Sequence, residues 1–197
     1  RELREAGKLS IKLKEKDVLI GVDLAQNSQD IMLSTTDGKC LRFPVKSLRL
    51  FSGLNSGGVK GIRLEKNNFV VSLSILKHSR IDMGIRQEYL RSSSDNRKNG
   101  SAFKDNKDFE ELHNNEEFIL SVTSNGFGKR SSAYEYRISS RGGKGITGIL
   151  TTPKNGKVID SFIVKDDDQI ILVSNKGQII RVGVNQIRIA GRSTQGV

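Results

Sequence analysis

Short runs of apolar and β-branched residues recur along the chain, each cut off by turn-forming residues. Ile31-Met32-Leu33-Ser34-Thr35, Phe118-Ile119-Leu120-Ser121-Val122 and Ile170-Ile171-Leu172-Val173 lead into Asp37-Gly38, Asn125-Gly126 and Lys176-Gly177 respectively. A return run follows each turn, Lys39 to Val45 in the first. Two β-prone runs around an Asx-Gly pair predict a hairpin, because glycine supplies the positive φ that a primed turn needs. Two further runs, Ile11-Lys12-Leu13 and Val18 to Val22, parallel Ile62-Arg63-Leu64 and Phe69 to Leu73 across turn-sized polar linkers. They predict the closing strands of a unit that begins upstream.

The hairpins are copies of one another. Four residues after Gly38, Gly126 and Gly177 stand Arg42, Arg130 and Arg181, and eleven after them stand Arg49, Arg137 and Arg188. Nineteen or twenty residues on, each copy has a glycine before a β-branched residue: Gly58-Val59, Gly145-Ile146 and Gly196-Val197. Gly126 and Gly177 are 51 residues apart and Gly38 and Gly126 are 88, so an insertion of 37 residues falls between the first two hairpins. A period near 50 with short strands predicts an all-β, propeller-like array of small sheets. Its units are the end of a blade at 1–26, a blade at 27–76, a blade with an insertion at 77–165, and the start of a blade at 166–197.

The insertion, about 77–115, breaks the pattern. Ser92 to Gly100 has little to bury and predicts a flexible loop, whereas Phe103, Phe109 and Leu112 could support a short helix or an edge contact. His78 and His113 lie at its margins with no cysteine or third histidine nearby, which makes them solvent-exposed bystanders instead of a zinc pair.

Composition adds three constraints. Apolar content is 35%, Gly is abundant at 20 and Pro scarce at 2, which suits thin cores and tight turns. Cys40, the one cysteine, excludes an internal disulfide and reads as an inert packing residue in a reducing cytoplasm. No apolar run reaches 18 residues and no signal-peptide pattern opens the sequence, so a soluble, non-exported chain without membrane contact is expected.

Charge changes the picture more. The chain carries 33 Lys/Arg against 22 Asp/Glu, and the stretch 77–114 holds only 8 against 7, leaving 25 against 15 for the repeats. That excess points to a polyanion, nucleic acid before membrane. Residues sharing a repeat slot face the same way in a regular array, so Arg42, Arg130 and Arg181 form one expected stripe and Arg49, Arg137 and Arg188 a second. Arg141, Lys144 and Arg192 form a third, with Lys60 and Arg63 just past it in the first copy. Lys129 and Lys176 stand beside these slots. Such stripes would follow a phosphate backbone without reading bases, and the adjoining glycines would open backbone N–H groups to phosphates.

Catalytic constellations are missing. Gly-x-Ser-x-Gly, His-Glu-x-x-His and Cys-x-x-Cys do not occur, and Gly142-Gly143-Lys144-Gly145 lacks the spacing of a phosphate-binding P-loop. Asp166-Asp167-Asp168 reads as a solvated turn in preference to a Mg²⁺ site. Tyr89, Tyr134 and Tyr136 read as half-buried packing residues.

The repeat resembles a known family. Gly126-Phe127-Gly128-Lys129-Arg130, Glu135-Tyr136-Arg137 and Gly191-Arg192-Ser193-Thr194-Gln195-Gly196-Val197 are similar to the C-terminal domain of the bacterial DNA gyrase A subunit, as are Leu19 to Leu24 and Gly58 to Leu64. The likeness covers nearly all the chain outside the insertion. It implies a β-pinwheel of four-stranded, strand-exchanging blades, here a partial disc, with duplex DNA wrapped sequence-independently on its basic rim. It further implies that the wrap lets ATP-driven strand passage introduce negative supercoils in a holoenzyme of two A and two B subunits near the nucleoid. Catalysis, ATP and Mg²⁺ would belong to other parts of that assembly, and this segment would carry no cofactor. The family's signature box Gln-Arg-Arg-Gly-Gly-Lys-Gly survives only as Arg141-Gly142-Gly143-Lys144-Gly145, in a later repeat. Two alternatives stand beside this reading: the C-terminal domain of the topoisomerase IV A subunit, and a protein-interaction propeller that is not an enzyme.

Overall fold

The structure is a computed structural model and describes residues 11–51, 56–99 and 106–197, with the side chains of 94–99 left out. The predicted hairpins form. β1 (Gln29–Thr35) turns at Gly38, φ +78°, into β2 (Lys39–Pro44), and β3 (Val70–Lys77) pairs antiparallel on the other side of β1. In the second repeat β4 (Phe118–Thr123) pairs with β5 (Gly128–Ser132). β6 (Ile146–Thr147) comes next, and β7 (Val158–Val164) pairs with β4. The third repeat supplies β8 (Gln169–Val173) and β9 (Ile179–Gly183). A single 3₁₀ turn follows each return strand, at Val45–Ser47, Ala133–Glu135 and Val184–Gln186. The register shifts at Ser34/Thr35 in β1 and again at Val122/Thr123 in β4, so the repeats share even their irregularities.

β6 leaves its own repeat. It pairs with β2, giving a four-stranded sheet in the order β3-β1-β2-β6. The next repeat does the same to the β5 edge, where Gly128 and Val197 exchange N–H···O bonds of 2.8 and 3.0 Å. The glycine before each crossing segment is what lets the backbones meet. Gly145 has φ +77° and a Cβ there would lie 2.7 Å from the Cys40 carbonyl oxygen; Gly196 has φ +83° and would meet the Gly128 carbonyl oxygen at 2.9 Å. An L side chain fits neither the angle nor the gap.

Both faces of the second sheet meet a neighbour, which explains why β4 reads as a near-continuous apolar run; one face of the third sheet, with Ile171, Val173 and Ile179, is exposed. Met32, Cys40 and Leu76 of the first blade pack on Ile119, Ala133 and Tyr136 of the second. On the opposite face of the second blade, Leu120, Val122 and Val164 pack with Val184 of the third. Each buried aliphatic side chain contributes about 1.5–3 kcal/mol, so the array is held by thin cores between neighbours. Tyr89 and Tyr136 are fully buried, not half-buried as expected.

The insertion departs from expectation. Met83–Asn99 is a helix, α1, so 92–99 is not a loop, and Lys107–Asn115 is a second helix, α2. Asp82 Oδ1 accepts from the Gly84 amide at 2.7 Å, and Asn106 Oδ1 accepts from the amides of Asp108 and Phe109. Such side-chain oxygens cap the orphan N–H groups that open a helix. Tyr89, Phe109 and Leu112 then close a small core against Tyr134 of the second blade, with Tyr89 edge-on to both Phe109 and Tyr134. Phe103 lies outside the described residues.

Residues 11–28 form no strand, and Val18, Val22 and Leu24 are mostly exposed. β3 and β7 pair with the first strand of their own blade, whereas among the described residues no strand pairs with 18–22. The repeat survives in the turns nonetheless. Lys16 and Asn67, at equivalent positions, both have positive φ, and the Lys12 and Arg63 amides bond to Ser56 and Gly143 carbonyls in equivalent contacts.

Candidate nucleic-acid interface

The three arginine slots separate on structure. Arg42 is buried: its Nε and Nη2 reach Asp30 Oδ2 at 2.9 and 2.8 Å, Nη1 donates to the Ala133 carbonyl and Nη2 to the Lys77 carbonyl. Arg130 holds the same place one blade on. It donates to the carbonyls of Ile187 and Asn185, pairs with Asp166 and lies 5.8 Å from the Phe118 ring centre. Both are fasteners between successive blades, with their donors occupied by protein, and neither joins an outward track. Lys129 is also buried, its Nζ donating to the Gly191 and Arg192 carbonyls and Thr194 Oγ1. Burial lowers its pKa to about 8. The expectation that these three face outward fails because their strand lies between two cores: both faces are interior, and a cation there must find its counter-dipoles inside.

Arg181 continues that slot but is exposed, with Nε on Gln169 Oε1. The second slot does face solvent. Arg49, Arg137 and Arg188 each stand two residues past a 3₁₀ turn, and all three are exposed. Among the described residues none of the three guanidinium groups has a hydrogen-bond partner; Arg49 lies 5.7 Å over the Phe51 ring. Lys60, Arg63, Lys144 and Lys176 are exposed as well. Arg141 is exposed and reaches the Lys60 carbonyl at 3.3 Å, and half-buried Arg192 donates to the Thr147 carbonyl at 3.0 Å.

The glycine-rich loop does a different job from the one expected. Gly142 N–H donates to the Gly61 carbonyl and the Gly143 carbonyl accepts from Arg63 N–H at 2.8 Å. These bonds fasten the loop to the preceding blade, and the Gly142 N–H is not open to phosphates. Arg141 and Lys144 remain its outward cations.

Other candidate chemistry resolves as structure. His78 is not a bystander: its Nδ1 lies 2.8 Å from Asp30 Oδ1, so it shares the carboxylate that Arg42 holds. His113 Nδ1 lies 3.4 Å from the Tyr89 hydroxyl. Asp166 belongs to the Arg130 pair, and among the described residues no group of three His, Cys, Asp or Glu could hold a metal ion. Cys40 is buried, and burial raises its pKa to about 11. Arg86, on α1, lies beside Arg137 and Arg192; no repeat signal marked it. Among the described residues no helix is long and apolar enough to cross a membrane.

Comparison with known proteins completes the picture. The family model described as "DNA gyrase C-terminal domain, beta-propeller" matches residues 29–77, 117–165 and 168–197, the three repeats, and skips the insertion. The DNA gyrase A subunit of Granulibacter bethesdensis is 40% identical over 222 residues, covering 100% of this chain and 24% of that protein. Its Escherichia coli K12 counterpart is 37% identical over 195 residues, covering 99% of this chain and 18% of its own length. The chain thus spans about a quarter or less of these relatives. Among solved structures, a DNA gyrase A C-terminal domain has a TM-score of 0.70 at 22% identity, over 98% of this chain and 53% of that one. The C-terminal domain of DNA topoisomerase IV has a TM-score of 0.71 at 21% identity, over 95% and 47%. At such identities the two structures speak for the fold alone.

Proposed function

Given that the chain belongs to the DNA gyrase C-terminal β-propeller family, we propose that it binds duplex DNA along its exposed cations and bends it without reading sequence. The observation that carries this reading is the recurrence of Arg49, Arg137 and Arg188, exposed at one place in three successive repeats. Lys60, Arg63, Arg141, Lys144, Lys176, Arg181 and Arg192 add to the cationic surface. A cation recurring at one place in each repeat suits a polyanion with a regular backbone, whose phosphates carry no sequence information.

Magnitudes favour bending over simple docking. Contacts to about 6–10 phosphates are worth roughly 10³–10⁵ in affinity between low and moderate salt, or about 4–7 kcal/mol. Curving about 20–30 base pairs by 40–90° costs on the order of 1–6 kcal/mol. The contacts therefore offset the deformation.

Within the intact gyrase A protein, associated with its B partner, the bent duplex would present a crossover of one sign to the strand-passing core. ATP-driven passage would then introduce negative supercoils, with catalysis and the nucleotide housed outside this segment. The test has two arms. Filter binding of non-specific duplex should give log K falling linearly with log salt, and a flat response overturns DNA binding. The intact enzyme should supercoil relaxed plasmid negatively; relaxation and decatenation alone would point to a topoisomerase IV role.

A further inference from the structure

We propose that the insertion completes a phosphate-binding cleft, in which Arg86 of α1 joins Arg137 of the second blade and Arg192 of the third to hold one backbone phosphate of the duplex. The proposal rests on the DNA-binding reading above and adds to two repeat-slot arginines a third, Arg86, that no slot encodes.

Three separate parts of the chain build the cleft. α1 contributes Arg86 and Gln87, the segment after the second 3₁₀ turn contributes Arg137, and the loop past β9 contributes Arg192, around a volume of about 540 Å³. The lining holds three arginines and one acid, Glu135, with Asp82 and Asp30 near enough to Arg86 to act on its charge. Glu135 Oε2 already accepts from the Arg192 amide at 2.8 Å, so it positions the Arg192 loop and leaves the guanidiniums to the cleft. Arg192 Nη1 is anchored to the Thr147 carbonyl, while Arg137 is exposed and has no hydrogen-bond partner among the described residues.

Arg86 is the residue that points to a ligand. Its Nε and Nη1 are buried without a hydrogen-bond partner, a rare state for a guanidinium, whose donors are costly to leave unmade. Burial and then the nearby charge of Arg42 push its pKa below the ordinary arginine value. An anion accepting these donors relieves both. Arg86 lines the cleft, as does Arg137. A phosphate suits the planar fork of arginine, which binds its oxygens in pairs. The helix itself is held in place by Tyr89, so the donors arrive on a packed element.

The test uses the full chain, with Arg91→Gln, an exposed arginine on α1 outside the cleft, as control. Arg86→Gln is expected to lower the salt slope of duplex binding by about one unit and weaken affinity several-fold, while Arg91→Gln leaves both unchanged. In the wild type, the Arg86 Nε–H resonance is expected to shift on adding duplex. Wild-type binding with an unaltered slope in Arg86→Gln overturns the cleft but keeps the DNA reading; a wild type with no salt-dependent binding overturns the DNA reading itself. A resonance that moves with inorganic phosphate but not with duplex overturns the assignment to DNA. If Arg86→Gln fails to fold, the resonance experiment on the wild type still decides.

Discussion

Arg130 does in the second blade what Arg42 does in the first: each guanidinium crosses to the next blade and donates to backbone carbonyls at its 3₁₀ turn, Ala133 for Arg42 and Asn185 and Ile187 for Arg130. Their acids differ in origin. Arg42 takes Asp30 from β1, whereas Arg130 takes Asp166 from just past β7, the place His78 holds one repeat earlier. The counter-charge has moved between strands while the arginine stayed.

Arg42→Met should destabilise the chain by about 3–5 kcal/mol, because Asp30 would be left charged and buried. Adding Asp30→Asn should recover part of that loss, since His78 and Arg42 share this carboxylate. Denaturant unfolding of the two single variants and the double variant checks it; additive losses would mean the pair is not coupled.

Charge reversal should separate fasteners from phosphate-facing groups. Arg49→Glu, Arg137→Glu and Arg188→Glu together should shallow the salt slope of duplex binding by roughly one unit per phosphate no longer neutralised and leave the melting temperature within a few degrees. Arg130→Glu should instead cost folding. Thermal melts run beside anisotropy titrations distinguish the two, and an unchanged slope in the triple variant removes those side chains from the interface.

Glycines of equal φ should differ in cost. Gly145→Ala adds a Cβ 2.7 Å from the Cys40 carbonyl oxygen, whereas Gly177→Ala, at φ +76°, meets nothing within 4 Å. The second should lose only the left-handed penalty of about 1–2 kcal/mol; the first should lose more, through displacement of β6. Equal losses would show that the crossing does not need the close approach.

Lys129 should make stability rise with alkalinity. Burial holds its pKa at about 8, below the ordinary 10.5, so the folded chain releases this proton before the unfolded chain does. Stability therefore climbs from about pH 8 towards 10.5. Lys39 and Cys40, both raised, act in the opposite sense, so the measured quantity is the difference between wild type and Lys129→Met. A difference that stays constant across the window removes the effect.

Cys40 should resist iodoacetamide in the folded state, being buried with its pKa raised to about 11, and react fully on unfolding. Labelling at the native rate of an exposed thiol would contradict its place in the core.

The sequence showed the repeats because hairpins write themselves locally: a turn glycine with positive φ and an apolar run on each side. It showed that Arg42, Arg130 and Arg181 were equivalent, but not which way they faced. In Leu41-Arg42-Phe43 all three residues are buried, so alternation carries no inside and outside. The one available sign was an acid on the paired strand, Asp30, twelve residues upstream and two positions along from the residue that faces Arg42. The helices of the insertion were hidden for another reason. The first two turns of α1 are held by Ile85, Tyr89 and Leu90, and the polar stretch after them continues a helix that its own composition would not start. Asp82 and Asn106 were the legible signals, each a capping residue ahead of apolar positions at helical spacing. Arg86 had no such mark, because its environment is assembled from three distant segments.

The crossing of β6 onto the sheet of β1, β2 and β3 means that each blade borrows its outermost ribbon from its successor. Damage in this molecule therefore travels backwards: a lesion at 145–147 frays the unit before it, not the unit in which it is written.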